Sequence, residues 1–124
     1  MKLIKHFLAI GYVALLSHSV VAQSLTVEHP MGKTTLEAEP KRVVVLGMDT
    51  LDVLDNLNIE PVGVVKSPMP SYLNKYQDDK YTAAGSLFEP DFETIFTLKP
   101  DLIIASNRSS ESYDELSKIA PTVV

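Results

Sequence analysis

The chain has 124 residues, no cysteine, and 16 acidic against 11 basic residues, for a formal net charge of −5. The lack of cysteine excludes disulfides, thiolate metal sites, a thiol nucleophile and a cysteine-linked lipid anchor. The acidic balance argues against nucleic acid as a partner, because phosphate binding needs a basic surface.

The N-terminus predicts a cleavable secretory signal peptide over residues 1–22. Two lysines in the first five residues precede an apolar run (Phe7–Leu16), and Val20 and Ala22 fit the small-residue rule for a cut after Ala22. The run is shorter than the roughly 20 residues of a membrane-spanning helix; an uncleaved anchor is the alternative. Cleavage leaves 102 residues with nine basic and 16 acidic side chains, a charge of −7. An exported chain of this kind is expected in a bacterial periplasm.

The exported part opens with a predicted β-hairpin. Polar and apolar residues alternate from Leu25 to His29, a turn follows over residues 30–33, and the alternation resumes through Thr35 and Glu37. The aliphatic run Val43–Leu46 then predicts a strand buried on both faces, as in parallel sheets.

A helix is predicted after this strand, since Leu51, Leu54 and Leu57 recur at helical spacing. Asp49 or Thr50 is its expected N-cap, and Asn58 its expected end. The next predicted elements are a strand at Val62–Val65, the loop Lys66–Ser71, one or two helical turns around Tyr72, Leu73 and Tyr76, and a short strand at Thr82–Ala84.

A turn at Gly85–Glu89 leads to a second predicted helix. Pro90 suits the first helical position, where its missing N–H has no cost. The expected apolar face is Phe92, Ile95, Phe96 and Leu98, and the helix must end before Pro100.

The remaining predicted elements are a buried strand at Leu102–Ala105, a helix capped by Ser109 or Ser110, and an extended segment at Thr122–Val124. Strands and helices thus alternate with short connections. This order predicts an α/β fold, a mostly parallel sheet with helices on both faces, preceded by the hairpin. Because the sequence stops inside a predicted strand, we expect a truncated chain.

Ligands of open parallel sheets gather at the carboxyl ends of the strands. Here those ends carry residues 47–49, 66–68, 85–86 and 106–108, which offer Arg108, Lys66, Asn107, hydroxyl groups and glycine backbone. The pattern predicts a site for an anionic small molecule.

Catalysis and direct metal binding have little support in the sequence. His29 is the one histidine beyond residue 22, and it is expected to be a surface residue of the hairpin without a nucleophile beside it. Asp78 and Asp79 are expected in a solvated turn rather than a metal site. Gly47 stands alone where a nucleotide fingerprint would need a G-x-G-x-x-G. We therefore expect neither an enzyme nor a resident cofactor.

Three segments carry a family resemblance: RVVVLGMDTLDVLDNLNIEPVGV (residues 42–64), EPDFETIFTLKPDLIIAS (89–106) and NRSSESYDELSKIAPT (107–122). The region from Val43 to Val124 resembles the N-terminal lobe of the periplasmic binding proteins that deliver ferric siderophores and cobalamin to ABC importers. Its last segment is similar to the catecholate-siderophore branch. The resemblance implies a monomeric, noncatalytic carrier whose second lobe is not in this sequence.

Residue roles follow from the resemblance. Glu93 matches a glutamate that docks on arginines of the importer's membrane subunit, with Glu89 one turn earlier as the second candidate. Arg108 matches an arginine directed at the phenolate oxygens of a catecholate, whereas a solvated pair with Glu111 is the alternative. Lys66 and Asn107 are further ligand candidates at the rim, and Met69 and Tyr72 are candidates for an apolar wall.

Other functions remain open at this level. A cobalamin or haem carrier has the same fold and would differ in its second lobe. A small secreted α/β enzyme would need a nucleophile and a base at the strand ends. A stand-alone interaction module is the third alternative.

Overall fold

The structure, a computed structural model, describes residues 17, 19 and 23–124. The predicted signal peptide, apart from residues 17 and 19, lies outside the described residues. Within the described part, none of the helices is both long and apolar enough to span a membrane.

The described chain alternates short strands and short helices. In chain order the elements are β1 (Leu25–His29), β2 (Gly32–Leu36), β3 (Val43–Val45), α1 (Met48–Asn56), β4 (Gly63–Val64), a 3-10 helix (Ser71–Gln77), β5 (Thr82–Ala83), α2 (Phe92–Leu98), β6 (Leu102–Ile104), a 3-10 turn (Ser110–Ser112), α3 (Tyr113–Ser117) and β7 (Thr122–Val123).

Strands β3 to β7 form one parallel sheet in the order β5-β4-β3-β6-β7, and β1 and β2 form a separate antiparallel hairpin. Val44 of β3 lies opposite Gly63 on one side and Ile103 on the other. The predicted fold class is therefore confirmed.

The central strand supplies both halves of the core because its side chains alternate between the faces of the sheet. Val44 belongs to a buried cluster with Ile95 of α2 and Leu116 of α3. Val45 belongs to a second cluster, on the opposite face, with residues of α1 and the 3-10 helix. Strand β3 is thus packed on both of its faces.

The hairpin is anchored to the far edge of the sheet. Thr34 is buried and its hydroxyl donates a hydrogen bond to the carbonyl of Thr122 in β7. The Nε2 atom of His29 lies 2.8 Å from the same hydroxyl, and the His29 and Tyr113 ring centroids are 5.3 Å apart. The expected surface position of His29 is therefore wrong: the residue is half-buried because it joins the hairpin to α3.

The start of α1 differs from the prediction and its end does not. Gly47, not Asp49 or Thr50, is the N-cap, and no side chain caps the helix, because the Asp49 carboxylate accepts instead from the amide of Thr50 at 2.9 Å. Asn58 adopts a left-handed conformation (φ 56°) immediately after the helix, which confirms it as the stop.

The start of α2 also differs from the prediction. Pro90 was expected at the first helical position, but it pairs with Gly85 in an isolated bridge two residues before the helix. Asp91 is the N-cap, since its carboxylate accepts from the amide and the hydroxyl of Thr94 at 3.0 and 2.8 Å. Lys99 takes a left-handed conformation, so the helix ends before Pro100 as predicted.

The apolar face of α2 is narrower than the sequence suggests. Ile95 is fully buried, but Phe96 is 70% exposed and Phe92 is 39% exposed. A helix of seven residues makes two turns, and only one side of it reaches the sheet. The prediction that Phe92 and Phe96 lie on the buried face of α2 is therefore wrong.

The last helix begins later than expected. Neither Ser109 nor Ser110 caps an α-helix through its side chain; a 3-10 turn follows Ser109, and α3 starts at Tyr113. Ser109 is instead fully buried and holds the loop before it.

Candidate ligand-binding site

A crevice opens where the order of the strands reverses. From β3 the chain moves outward to β4 and β5 and then returns to β6 on the other side of β3. The connection after β3 leads to α1 on one face and that after β6 to α3 on the other, and ligands of open parallel sheets bind at such a switch point. A pocket of about 320 Å³ lies there, lined by Gly47, Met48, Asp49, Leu87, Ser106, Asn107 and Arg108.

Gly47 sets how close the two main loops of this pocket approach. A β-carbon on Gly47 would lie 3.1 Å from the β-carbon of Ser106 and 2.7 Å from a carboxylate oxygen of Asp49. A larger residue would push the loops after β3 and β6 apart. The sequence signal was the lone glycine directly after a buried strand.

Arg108 stands on a turn locked by serines. The buried Ser109 hydroxyl accepts from the amide of Ser106 at 3.0 Å, and the Ser109 amide donates to the Ser106 carbonyl at 3.1 Å. The Ser110 hydroxyl donates to the carbonyl of Asn107 at 2.8 Å. Asn107 and Arg108 are thus held exposed at the tip of a fixed turn.

Arg108 gives the pocket a positively charged side chain. Within residues 23–124 it makes no ion pair, so the alternative pairing with Glu111 is not formed. Its guanidinium carbon lies 5.3 Å from the ring centroid of Phe88. An arginine in this state presents its planar array of donors to an anion.

Asp49 gives the same pocket a negative side chain. It is exposed at the start of α1, across the crevice from the loop of Arg108. The pocket therefore suits a ligand with acceptor oxygens toward Arg108 and donor or neutral groups toward Asp49.

Two of the four predicted rim loops, residues 47–49 and 106–108, line the pocket together. The loop after β5 contributes Leu87. Lys66 does not line the pocket: its ammonium donates to the carbonyls of Gln77 and Asp78 at 3.3 and 3.0 Å. Met69 packs against the core and Tyr72 is exposed outside the pocket. The ligand role of Lys66 stays a prediction, as do those of Arg108 and Asn107.

The two acidic residues with a predicted docking role, Glu93 and Glu89, lie at the start of α2. Glu93 is exposed in the first turn of α2, two residues after the N-cap Asp91, and Glu89 is exposed in the loop before the helix. The backbone and hydroxyl hydrogen bonds from Thr94 hold the pKa of Asp91 below its usual value. The docking roles of Glu93 and Glu89 stay predictions.

Two tyrosine–carboxylate pairs, not foreseen from the sequence, fix the 3-10 helix and the chain after it. The Tyr76 hydroxyl donates to Asp55 at 2.8 Å and the Tyr81 hydroxyl to Glu60 at 2.7 Å. The hydrogen bond from Lys75 lowers the pKa of Asp55, and that from Tyr81 lowers the pKa of Glu60. The available signal was that the two acids, Asp55 and Glu60, have the same five-residue spacing as the two tyrosines, Tyr76 and Tyr81.

The described residues contain no group of three or more histidine, aspartate or glutamate side chains placed to hold a metal ion.

The family model described as "Periplasmic binding protein" matches residues 43–124. The chain belongs to this family. The resemblance found in the sequence is thereby confirmed, and the pocket at the switch point lies within the matched region.

Several proteins similar to this chain are named for the siderophores that they bind. The catecholate-siderophore binding protein VctP of Vibrio cholerae is 62% identical with a TM-score of 0.80 and matches 82% of this chain and 37% of its own. The petrobactin-binding protein YclQ of Bacillus subtilis is 49% identical over 82% of this chain and 33% of its own. The ferric-anguibactin-binding protein FatB of Vibrio anguillarum is 39% identical over 80% of this chain and 31% of its own. The chain spans about a third of the length of these relatives.

Proposed function

We propose that this chain is part of a noncatalytic carrier that binds a ferric siderophore in the periplasm and delivers it to the permease of an ABC importer. The observation that carries the proposal is that Arg108 is exposed at the switch-point pocket and makes no ion pair with residues 23–124. Relatives named for siderophore binding support it, including VctP and YclQ.

The ligand class follows from charge and shape. A ferric tris-catecholate is a trianion whose phenolate oxygens lie at its surface, and a guanidinium fork matches such oxygens. The protein holds the complex through the siderophore, which itself coordinates the iron.

The described residues supply part of the binding free energy. One charge-assisted contact contributes about 1.5–3 kcal/mol, whereas micromolar binding needs about 8 kcal/mol. Tight capture requires further cations from the part of the protein that the longer relatives possess.

The experiment is a titration of the full-length protein with a ferric tripodal tris-catecholate, followed by quenching of intrinsic fluorescence. Saturable binding at submicromolar concentration is expected, with weaker binding of the iron-free siderophore. Failure to bind any ferric catecholate would contradict the proposed ligand class.

Delivery is proposed to involve Glu93. An exposed carboxylate at a helix start, favoured by the helix dipole, can meet an arginine of the permease in a charge-assisted pair. Glu89 is the alternative contact at the same end of α2.

A further inference from the structure

The contact between Arg108 and Phe88 joins two loops from separated parts of the sheet. Phe88 follows β5 at one edge, Arg108 follows β6, and β4 and β3 lie between these strands. Their side chains nevertheless meet at 5.3 Å, measured from the guanidinium carbon to the ring centroid. The ring remains 63% exposed, so burial does not account for its position.

Hydrogen bonds within the loop also hold the segment that carries Phe88. The Ser86 hydroxyl accepts from the amides of Phe88 and Glu89 at 3.3 and 3.0 Å, and the Ser86 amide donates to the Glu89 carbonyl at 2.9 Å. Gly85 pairs with Pro90 at the base of the loop. Phe88 is thus presented by a closed, hydrogen-bonded loop.

An aromatic ring and a carboxylate hold an arginine in different ways. A carboxylate would neutralise the guanidinium and occupy its N–H donors. A ring face attracts the cation through its quadrupole and leaves the N–H donors, which lie in the guanidinium plane, available. For a pocket that takes an anion, the ring is the more suitable partner.

We propose that Phe88 is a positioning residue for Arg108: its ring fixes the guanidinium at the pocket mouth while leaving the donors free for an anionic ligand. This inference rests on the proposed function. Leu87, beside Phe88 in the chain, lines the pocket, so the loop links the pocket wall to the arginine.

The test is a double-mutant cycle in the full-length protein, titrated with a ferric tripodal tris-catecholate. Phe88→Leu keeps an apolar side chain and removes the ring, and we expect about two- to fivefold weaker binding, the range for an exposed cation–π contact. Phe88→Trp should bind at least as well as the wild type. In an Arg108→Ala background, Phe88→Leu should have no further effect.

An unchanged affinity in Phe88→Leu, or an equal loss in the Arg108→Ala background, would overturn the proposal. A second readout needs no ligand: the side-chain Hε resonance of Arg108 should be shifted upfield by the ring and return downfield in Phe88→Leu. Absence of that shift would also overturn it. If the wild type shows the shift but binds no ferric catecholate, the positioning contact stands and the proposed function fails.

Discussion

A β-carbon on Gly85 would lie 2.6 Å from the amide nitrogen of Asp91 and 2.4 Å from the carbonyl oxygen of Glu89. Gly85 also has a φ of +117°, which side-chain-bearing residues rarely adopt. The chain is therefore folded back on itself at the base of the loop that carries Phe88.

Gly85→Ala should destabilise the protein by more than about 1 kcal/mol, since both the conformation and the space are wrong for alanine. Gly32→Ala is the matched control, because Gly32 has a φ of +139° but no atom within 4 Å of its β-carbon position. Urea unfolding should show a larger loss for Gly85→Ala, and equal losses would contradict the steric account.

The two sides of α2 should differ sharply in their contribution to stability. Ile95→Ala removes a fully buried side chain and should lower the free energy of unfolding by about 2–5 kcal/mol. Phe96→Ala, one residue on, changes a side chain that is 70% exposed and should stay within about 0.5 kcal/mol. A larger loss of stability in Phe96→Ala would show that Phe96 belongs to the buried apolar face, as the sequence predicts.

At low pH the Asp91 N-cap of α2 should no longer stabilise the folded protein. The pKa of Asp91 is lowered by hydrogen bonds from Thr94, so the stabilisation is complete above the ordinary value of 3.8 and is lost as the pH falls through the lowered folded value. Asp91→Ala should therefore be less stable than the wild type at pH 7, and the difference should shrink below pH 3.8. A difference in urea midpoint that persists undiminished at pH 2 would contradict this.

The proposed contact between Glu93 and the permease predicts that ligand binding and import can be separated by mutation. Glu93→Lys should lower the rate of siderophore uptake by more than about tenfold, because it would place a cation against the arginines proposed to contact Glu93 on the permease. Binding of the soluble protein to its ligand should be unchanged. Glu115→Lys, a reversal of an exposed acid in the first turn of α3, is the control. Normal uptake by Glu93→Lys would exclude this docking role.

The parallel sheet could be predicted from the sequence because its signals are local and repeated. Aliphatic runs such as Val43–Leu46 allow few other interpretations, and their alternation with helical patterns fixes the fold class. The first residues of the helices are harder to predict from sequence, because several residues able to cap a helix often lie close together. The start of α2 is set by Asp91 and not by Pro90, because the Asp91 carboxylate accepts two hydrogen bonds from Thr94. Hydrophobic periodicity does not reveal these bonds.

The composition of the pocket could be predicted only in part. The rim position of Arg108 is predictable because the residue follows a buried strand, whereas its ligand role follows from the family resemblance. Phe88 was missed, since its role depends on a contact across the sheet between loops that follow β5 and β6. Lys66 was placed at the rim by the same strand-end logic, but the carbonyls of Gln77 and Asp78 hold its ammonium elsewhere.

Arg108 is the residue proposed to bind the anionic ligand. The most direct measurement compares the affinity of the full-length wild type, Arg108→Ala and Lys118→Ala for a ferric tripodal tris-catecholate. Lys118 is an exposed cation at the end of α3, so its loss controls for net charge. Arg108→Ala should bind about 10- to 100-fold more weakly, the loss of one charge-assisted contact, while Lys118→Ala binds as the wild type. Equal affinities of Arg108→Ala and the wild type would contradict the ligand role of Arg108.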